Sequence, residues 1–377
     1  MQELNSRLNV IVGNNARGKT TVLESLRLIT SLQSFRTSKI SEMIQEGKAQ
    51  ASVSAQFVQP TASKVVVGLE ASRKSFQIDG QKSTRSKYPA LGGSVSFIPD
   101  DLYLVKGSPE ARRNFIDDLG MSLDSGYSEI LQRYTKTLKQ RNQVLKAIKK
   151  AGSLGRTTSA TLDYGVWTEA LVEAAAPLFE ARVRLMDDLA EHLPGIYANL
   201  FNVNEKVSSV YQHQFVEKWG RTPDFRQAMY ERLGQLVEAE SAMGYSLAGP
   251  HRDDFRLQID GRDATHFASQ GQIRGLVIAL KITQLEMSRN TRKFAPILLL
   301  DDIISELDDH RVQALVSYLS AYPGQLFVTT AEVAKVTTLH QEFSGFKLIP
   351  LDQLEAQKSS IFEPSESGLN TEKFPLF

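Results

Sequence analysis

The first strongly patterned stretch of the chain reads Leu8-Asn-Val-Ile-Val-Gly13-Asn-Asn-Ala-Arg-Gly18-Lys19-Thr20. A short β-branched run ends at Gly13, and apolar residues at helical spacing follow Thr20, which predicts a strand, a loop and a helix. The loop matches the phosphate-binding pattern G-x-x-x-x-G-K-[ST] in the context that this pattern requires. An ordinary glycine-containing turn is the alternative interpretation. We interpret the stretch as a nucleotide-binding loop.

The residue types of this loop suit phosphate chemistry. Its glycines allow a tight turn in which successive backbone N–H groups and the helix N-terminus face phosphate oxygens. We expect the Lys19 ammonium to reach the β- and γ-phosphates as a catalytic group, and the Thr20 hydroxyl to coordinate Mg²⁺. The predicted nucleotide-binding residues of this segment are Gly13, Asn14, Asn15, Ala16, Arg17, Gly18, Lys19, Thr20 and Thr21.

A second half of the site is predicted where the apolar run Pro296-Ile-Leu-Leu-Leu-Asp301-Asp302 ends in two acids. Such a run is typical of a buried parallel strand, and parallel sheets present ligands at the carboxyl ends of their strands. We expect Asp301 to hold Mg²⁺, directly or through water, and Asp302 to polarise the attacking water as a catalytic residue. Strands also end at solvated acids, so this prediction depends on the accompanying phosphate loop.

Another anion site is predicted before the helix that starts near Gly275. The segment reads Ser269-Gln-Gly271-Gln272-Ile-Arg274 and combines a hydroxyl, a flexible glycine and a helix N-terminus. Because the chain already has a phosphate loop, we expect Ser269, Gly271 and Gln272 to contact the γ-phosphate held by another subunit. A serine N-cap on a buried helix is the alternative.

Helical patterning dominates from about residue 112 to residue 242, and residues 131–160 contain eight basic side chains and no acid. Lysines at helical spacing form a basic stripe, which binds phosphate backbones without reading base sequence. A solvated face of an amphipathic helix is the alternative. The predicted DNA-binding residues are Arg112, Arg113, Lys136, Lys139, Lys146 and Lys150.

The amino-acid composition excludes several classes of protein. The 377 residues carry 44 Lys and Arg against 43 Asp and Glu, a net charge of +1, and no cysteine. This balance excludes a globally basic nucleic-acid coat, and the missing cysteine excludes disulfides and thiolate metal sites. Apolar runs are too short to span a membrane and no secretion signal opens the chain, so we expect a soluble cytoplasmic protein.

Two other stretches have a recognisable pattern. Alternating hydrophobicity from Ala51 to Phe97 predicts an antiparallel section, and Gln325-Leu-Phe-Val-Thr-Thr330 predicts a second buried parallel strand. Residues 351–377 are acidic and rich in Ser, Pro and Gly, which predicts a disordered tail. The tail ends in Glu372-Lys-Phe-Pro-Leu-Phe377, which is similar to sliding-clamp-binding peptides; a disordered end without that contact is the alternative.

The order of the motifs resembles that of ATP-binding-cassette (ABC) ATPases: phosphate loop, Ser-x-Gly-Gln signature, acidic strand, D-loop and switch strand. Further segments resemble the RecF family of bacterial recombination mediators. These segments are Ser34-Phe-Arg-Thr-Ser38, Pro99-Asp-Asp-Leu-Tyr-Leu-Val-Lys-Gly-Ser-Pro109, Tyr134-Thr-Lys-Thr-Leu-Lys-Gln-Arg-Asn142, Ser246-Leu-Ala-Gly-Pro-His-Arg-Asp-Asp-Phe255 and Ser305-Glu-Leu-Asp308. Departures from the family pattern are Arg17 and Ile273, where glutamine is common, and Asp100, where glutamate is common.

The resemblance implies an α/β fold, namely an ABC-type, SMC-like P-loop ATPase head with an inserted helical lid subdomain. We therefore expect the head at residues 1–105 and 246–350 and a helical lid that binds DNA at residues 106–245. It also implies an ATPase that binds ATP and Mg²⁺ and dimerises on single-strand–double-strand junctions. Because Asp302 is one methylene shorter than the glutamate common in transporters, we expect this DNA-dependent ATPase to be slow. The implied partners are DNA, a second copy of the chain, and RecR, with RecO and RecA downstream, in recombinational repair and replication restart.

Two other functions remain open at this point. An ABC transporter subunit needs a membrane partner and has no use for the basic helix, so salt-sensitive DNA binding separates it from the DNA clamp. A P-loop kinase that phosphorylates a metabolite is the other, and a strictly monomeric protein with bound nucleotide would favour it.

Overall fold

The computed structural model describes residues 4–37, 39–58, 62–83, 93–152, 160–214, 224–292, 294–331, 342–343 and 345–351. The chain divides into two compact units, Met1–Leu102 with Ile278–Phe377, and Tyr103–Val277. This division places residues 246–277 with the helices, whereas the sequence assigns them to the ATPase head. The functional boundaries therefore stay a prediction. The tail and its clamp-like end lie outside the described residues, apart from Leu351.

A parallel sheet occupies the first unit and comprises, in the described ranges, five strands in the order β12–β1–β11–β10–β6. All four pairings are parallel. Four of these strands are buried along nearly their whole length, as expected of parallel strands covered on both faces, whereas β12 at one edge of the sheet exposes Lys347 and Leu348. The strands are β1 (Leu8–Val12), β6 (Ser94–Phe97), β10 (Ile297–Asp301), β11 (Leu326–Thr330) and β12 (Lys347–Pro350).

Strand β6 corrects one expectation. The alternation assigned Val95 and Phe97 to the antiparallel section, but β6 pairs in parallel with β10. All four residues of β6 are buried, as expected of a strand that is covered on both faces. The antiparallel section is confirmed for the preceding strands, in the order β2–β3–β4–β5. They are β2 (Gln50–Phe57), β3 (Ser63–Glu70), β4 (Arg73–Ile78) and β5 (Gln81–Lys82).

Helix α1 (Lys19–Ser31) packs against both sheets of this unit. Leu23 joins the apolar cluster of the parallel sheet, and Leu28 and Ile29 join that of the antiparallel sheet. Burial on two sides fixes the position of the N-terminus of α1, where the phosphate loop ends. The same unit contains α10 (Ile303–Glu306) and α11 (Asp309–Ala321).

The second unit is mainly helical. Its helices are α2 (Tyr103–Lys106), α3 (Pro109–Leu123), α4 (Tyr127–Gly152), α5 (Ala160–Phe201), α6 (Phe225–Gln235), α7 (Val237–Met243) and α8 (Ala264–Phe267). Helix α9 (Gln270–Arg292) begins in this unit and contains the boundary with the first. Within the described ranges, no helix is both long and apolar enough to cross a bilayer.

A small antiparallel sheet lies in this second unit and corrects another expectation. Its strands are β7 (Val207–Gln212), β8 (Asp254–Ile259) and β9 (Arg262–Asp263). Strand β7 falls inside the stretch that the sequence pattern assigned to helices. Its Val-Ser-Ser-Val-Tyr-Gln sequence has little apolar alternation, and it forms a strand by pairing with β8, which follows much later in the chain.

Candidate nucleotide-binding and nucleic-acid sites

The predicted phosphate loop joins β1 to α1. Asn14 to Gly18 are exposed, and the backbone is left-handed at Ala16 (φ 64°) and Gly18 (φ 84°). Glycine adopts this conformation without strain, whereas it costs alanine roughly 1–2 kcal/mol. Left-handed turns of this kind direct successive N–H groups towards one point and form an anion-binding concavity. The loop therefore has the backbone shape that phosphate binding requires.

Lys19 is the first residue of α1 and is only 7% exposed. Its ammonium Nζ donates to the carbonyl oxygens of Gly13 (2.7 Å) and Asn14 (3.1 Å) and to Oδ1 of Asn15 (3.3 Å). These contacts hold the positive charge over the loop, where an incoming phosphate would exchange with them. Thr20 is half-buried and Thr21 is exposed.

The sheet register brings the acidic strand to the same edge as the phosphate loop. Val12 of β1 lies opposite Thr330 of β11, and Asp301 of β10 lies opposite Thr329. Neighbouring strands are about 4.8 Å apart, so Asp301 ends two strand spacings, roughly 10 Å, from the end of β1. The parallel sheet thus collects both predicted halves of the site at its carboxyl edge.

Thr329 holds the two acids in place and was not among the residues predicted for the site. Its hydroxyl donates to Oδ1 of Asp301 (2.7 Å) and accepts from the backbone N–H of Asp302 (2.9 Å). Asp301 is 5% exposed, and Thr329 is fully buried. The available sequence signal is a pair of threonines at the carboxyl end of the strand beside the acids.

Asp302 adopts a left-handed conformation (φ 53°, ψ 17°) and is the N-cap of α10. Its Oδ1 accepts a hydrogen bond from the Ser305 hydroxyl at 2.9 Å. Aspartate and asparagine tolerate this backbone region better than other non-glycine residues. The two carboxylates have different hydrogen-bond partners, Thr329 for Asp301 and Ser305 for Asp302, which suits two different roles.

The donor set suits Mg²⁺ that is shared with a nucleotide. Thr20 offers a hydroxyl, and Asp301 offers Oδ2 because its Oδ1 is bound by Thr329. In the described part of the chain, no group of three or more His, Asp or Glu residues forms a metal cluster. Mg²⁺ usually takes one or two protein oxygens and completes its shell with phosphates and water. The residues present therefore fit a nucleotide-borne Mg²⁺.

The predicted signature segment forms a capping box at the start of α9. The backbone N–H of Gln272 donates to Oγ of Ser269 (3.2 Å), and the N–H of Ser269 donates to Oε1 of Gln272 (2.8 Å). Nε2 of Gln272 donates to Glu205 at 2.7 Å. Both ends of the Gln272 amide are thus engaged within the protein, so Gln272 shapes the turn. Ser269 is exposed, and Gly271 is half-buried beside it.

The basic stripe is exposed along α4. Lys136, Lys139, Lys146 and Lys150 all face solvent, whereas Tyr134 and Leu145 on the opposite side are buried. The stripe runs roughly 21 Å at the 1.5 Å rise of an α-helix. Arg156, counted with the basic residues of this stretch, lies outside the described residues.

Two arginines do not belong to this surface. Arg112 is 2% exposed and binds both carboxylate oxygens of Asp254, at 2.5 and 2.9 Å, so we withdraw it from the predicted DNA contacts. Arg141 lies on α4 itself but is fully buried, 2.6 Å from Glu240. Arg113, in contrast, is half-buried and donates to the carbonyl of Asp253 at 2.9 Å. Its contact with DNA stays a prediction.

A buried hydrogen-bond network joins His251 to Tyr134 of α4. Nε2 of His251 lies 3.0 Å from the carbonyl of Ser246, which can only accept, so Nε2 carries the proton. Nδ1 then accepts from the Tyr134 hydroxyl at 2.6 Å. Burial lowers the pKa of His251 to about 4, so the ring is neutral near pH 7. These contacts give His251 a structural role.

The parallel sheet, the phosphate loop and the acidic strand at one edge define an ABC-type ATPase head, which confirms the predicted fold class. The model of the RecF/RecN/SMC N terminal domain family matches residues 1–348. With the relatives described next, this shows that the chain belongs to the RecF family of ATP-binding DNA replication and repair proteins.

Two curated relatives carry the name DNA replication and repair protein RecF. The protein of Geobacter sp. (strain M21) is 33% identical over 332 residues, 88% of each chain. That of Pelotomaculum thermopropionicum (strain DSM 13744 / JCM 10971 / SI) is 36% identical over 348 residues, 90% of each chain.

Two solved structures of the recombination mediator protein RecF in the RecFOR pathway are also similar. The one described as RecF-ATPrS has a TM-score of 0.78 at 28% identity and covers 93% of this chain and 91% of its own. The one described as RecF-ATP has a TM-score of 0.76 at 29% identity and covers 88% of this chain and 87% of its own.

Proposed function

We propose that this chain is an ATP-dependent DNA clamp of recombinational repair and replication restart. The observation that carries the proposal is the joint placement of the Lys19 loop and Asp301 at one edge of the parallel sheet. In this arrangement Lys19 and the loop N–H groups bind the triphosphate, and Asp301 and Thr20 offer oxygens to Mg²⁺. When bound, Mg²⁺ supplies charge neutralisation for the β- and γ-phosphates.

Dimerisation follows from the second anion site. Ser269 caps the N-terminus of α9 and is exposed, and the half-buried Gly271 lies in the first turn, where the helix N-terminus favours a negative charge. A γ-phosphate held in one copy would bind Ser269 and Gly271 of the other copy. Two anion sites then share one ligand, and loss of the γ-phosphate removes what joins them.

Hydrolysis depends on Asp302, which would orient the attacking water. Its carboxylate is one methylene shorter than a glutamate and is already tied to Ser305. We expect a slow turnover for this reason, because the water is held less well than by a longer acid. A turnover comparable to that of a fast transporter ATPase would contradict this part of the proposal.

The DNA partner is proposed from the exposed lysine stripe of α4. Ammonium groups along one helix face bind phosphates without base specificity, so affinity should fall steeply with salt. By family membership we further propose gapped or junction DNA as the substrate and cooperation with RecR, with RecO and RecA acting downstream. The RecFOR pathway named for the two solved relatives supports this assignment.

Light scattering tests the clamp. We expect the purified chain to be monomeric alone, to dimerise with a slowly hydrolysed ATP analogue, and to bind gapped DNA best as that dimer. Lys19→Ala should abolish the nucleotide-dependent dimer. A chain that stays monomeric with nucleotide bound would contradict the proposal and favour the P-loop kinase.

A mixing experiment tests whether the site is shared between copies. Ser269→Asp keeps an N-cap oxygen for Gln272 but adds a negative charge where the γ-phosphate would lie. Neither Lys19→Ala nor Ser269→Asp should hydrolyse ATP alone. Their mixture should regain activity, because a mixed dimer contains one intact loop facing one intact serine. A mixture as inactive as its components would refute the shared site. Ser269→Asn, a neutral N-cap, is the matched control.

A further inference from the structure

The turn after α7 packs directly against the basic end of α4. Gly244 ends α7 with φ +80°, and a Cβ added there would lie 3.2 Å from Cδ of Lys149 and 3.7 Å from Cα of Lys146. The Lys149 ammonium also donates to the carbonyl of Met243 at 3.4 Å. The residues that flank Gly244, Met243 and Tyr245, therefore belong to a turn that packs against Lys146 of the stripe and against Lys149.

These flanking residues are apolar and exposed. Met243 is 53% exposed and Tyr245 is 39% exposed. The guanidinium carbon of Arg252 lies 5.3 Å from the centre of the Tyr245 ring, within cation–π range. Arg252 is itself exposed and is anchored by a hydrogen bond to the carbonyl of Ser246 at 3.1 Å. Tyr245, with an arginine against its ring, thus belongs to the turn that packs against Lys146 and Lys149.

We propose that Tyr245 is a stacking site for an unpaired base of single-stranded DNA, with the strand's phosphates running along Lys146 and Lys150. This inference rests on the proposed DNA binding. It adds that the DNA bound at this end of α4 is single-stranded. A lysine stripe alone binds duplex and single strand alike, because both present phosphates.

The aromatic ring distinguishes the two forms of DNA. Proteins that bind single strands combine a basic groove with aromatic side chains on which unpaired bases stack, and arginine adds a cation–π contribution. In a duplex the bases are already stacked on one another, so the Tyr245 ring gains a base only by breaking that stacking. An acidic protein segment could use the lysines but would gain little from the ring.

Binding of the full-length chain to two fluorescent DNAs tests the proposal. One is a single-stranded oligothymidylate and the other a duplex with the same number of phosphates. We expect Tyr245→Ala to weaken single-strand binding about tenfold, the lower half of the range measured for base stacking, and to change duplex binding less than about twofold. Tyr245→Trp should restore single-strand binding, because tryptophan also stacks.

Two controls separate stacking from charge and from folding. Tyr230 on α6 is 54% exposed in the same unit, and Tyr230→Ala should change neither affinity. The double variant Lys146→Ala and Lys150→Ala should weaken both DNAs and lower the salt dependence by about one unit of slope per lysine.

The outcomes distinguish this inference from the proposed function. A wild-type chain that binds neither DNA would overturn both. If DNA binding is salt-sensitive but Tyr245→Ala lowers the affinity for both DNAs equally, or lowers neither, the proposed clamp stands and the stacking site is overturned. Tighter binding to polyglutamate than to oligothymidylate of equal charge would indicate an acidic protein partner for this surface. That result would also overturn the stacking site.

Discussion

The hydroxyl of Thr329 donates a 2.7 Å hydrogen bond to Oδ1 of Asp301 across two neighbouring parallel strands. The same threonine oxygen accepts from the backbone N–H of Asp302. One buried threonine therefore orients the Asp301 carboxylate, which is proposed to bind Mg²⁺. It also holds the backbone N–H of Asp302, whose side chain is proposed to position the water. Oxygen ligands of metals are commonly held in this way by a second hydrogen bond.

The first prediction concerns this threonine. Thr329→Val keeps the β-branched shape of the strand but leaves the Asp301 carboxylate and the Asp302 N–H without their partner. We expect the ATPase activity or the apparent Mg²⁺ affinity to fall roughly 10- to 100-fold, measured by Mg²⁺ titration of ATP hydrolysis. Thr329→Ser, which keeps the hydroxyl, should retain most of the activity. An unchanged Mg²⁺ dependence in Thr329→Val would show that Asp301 needs no such support.

The second prediction separates nucleotide binding from hydrolysis. Asp302→Asn suits the left-handed backbone at this position, φ 53°, as well as aspartate does, so the fold should be preserved. The amide lacks the negative charge that polarises water. We expect hydrolysis to be lost while the nucleotide-dependent dimer persists, measured by phosphate release and light scattering on one sample. Normal hydrolysis in this variant would remove Asp302 from the mechanism.

The phosphate loop and the acidic strand could be predicted because their signals are local. Leu8 to Thr20 and Pro296 to Asp302 each contain a strand, its end and the chemical groups within a few residues. Parallel pairing then places strand ends at one edge whatever lies between them. The role of Thr329 is less visible, since a threonine is common in strands and its partner is known only when the strand order is known.

The basic residues show what a sequence pattern cannot predict, namely which of them are buried in ion pairs. Arg112 and Arg141 look like their lysine neighbours in a charge count, but both are buried. Their carboxylate partners, Asp254 and Glu240, lie 142 and 99 residues away. Charge periodicity indicates which face of a helix a residue lies on, and it carries no information about a partner so distant in sequence.

The third prediction tests the buried pair of Arg141 and Glu240, whose side chains are both 0% exposed. Glu240→Gln removes one charge and leaves the guanidinium buried without its counter-charge. We expect the free energy of unfolding to fall by about 3–5 kcal/mol, measured by urea denaturation. The exposed pair of Arg226 and Glu173 provides the control, because Glu173→Gln should cost about 1 kcal/mol or less. Equal effects of the two substitutions would contradict the burial argument.

The last prediction concerns Asp253, which is 1% exposed. Burial raises the pKa of its carboxyl to about 7, although Arg182 and the hydrogen bond from Tyr211 act in the opposite direction. Tyr211 donates to Oδ2 at 2.5 Å, and a guanidinium nitrogen of Arg182 lies 3.8 Å from the same oxygen. Oδ1 has no hydrogen-bond partner in the described part of the chain. The second oxygen therefore lacks the donors that would stabilise a negative charge.

The sign of the pH dependence follows from the direction of this pKa shift. Between the unfolded pKa of about 4 and the folded pKa of about 7, the folded chain binds the proton and the unfolded chain releases it. The Asp253 contribution to stability is therefore complete below about pH 4 and is lost as the pH rises through about 7.

Asp253→Asn removes this titration and keeps an oxygen for Tyr211. The free energy of unfolding of the variant minus that of the wild type should rise with pH across this interval, by up to about 1.4 kcal/mol per pH unit. Urea denaturation at several pH values between about 4 and about 8 measures it. His251, with a pKa lowered to about 4, titrates with the opposite sign but is present in both proteins and cancels in the difference. Parallel stability curves would show that Asp253 is ionised in the folded chain at all these pH values.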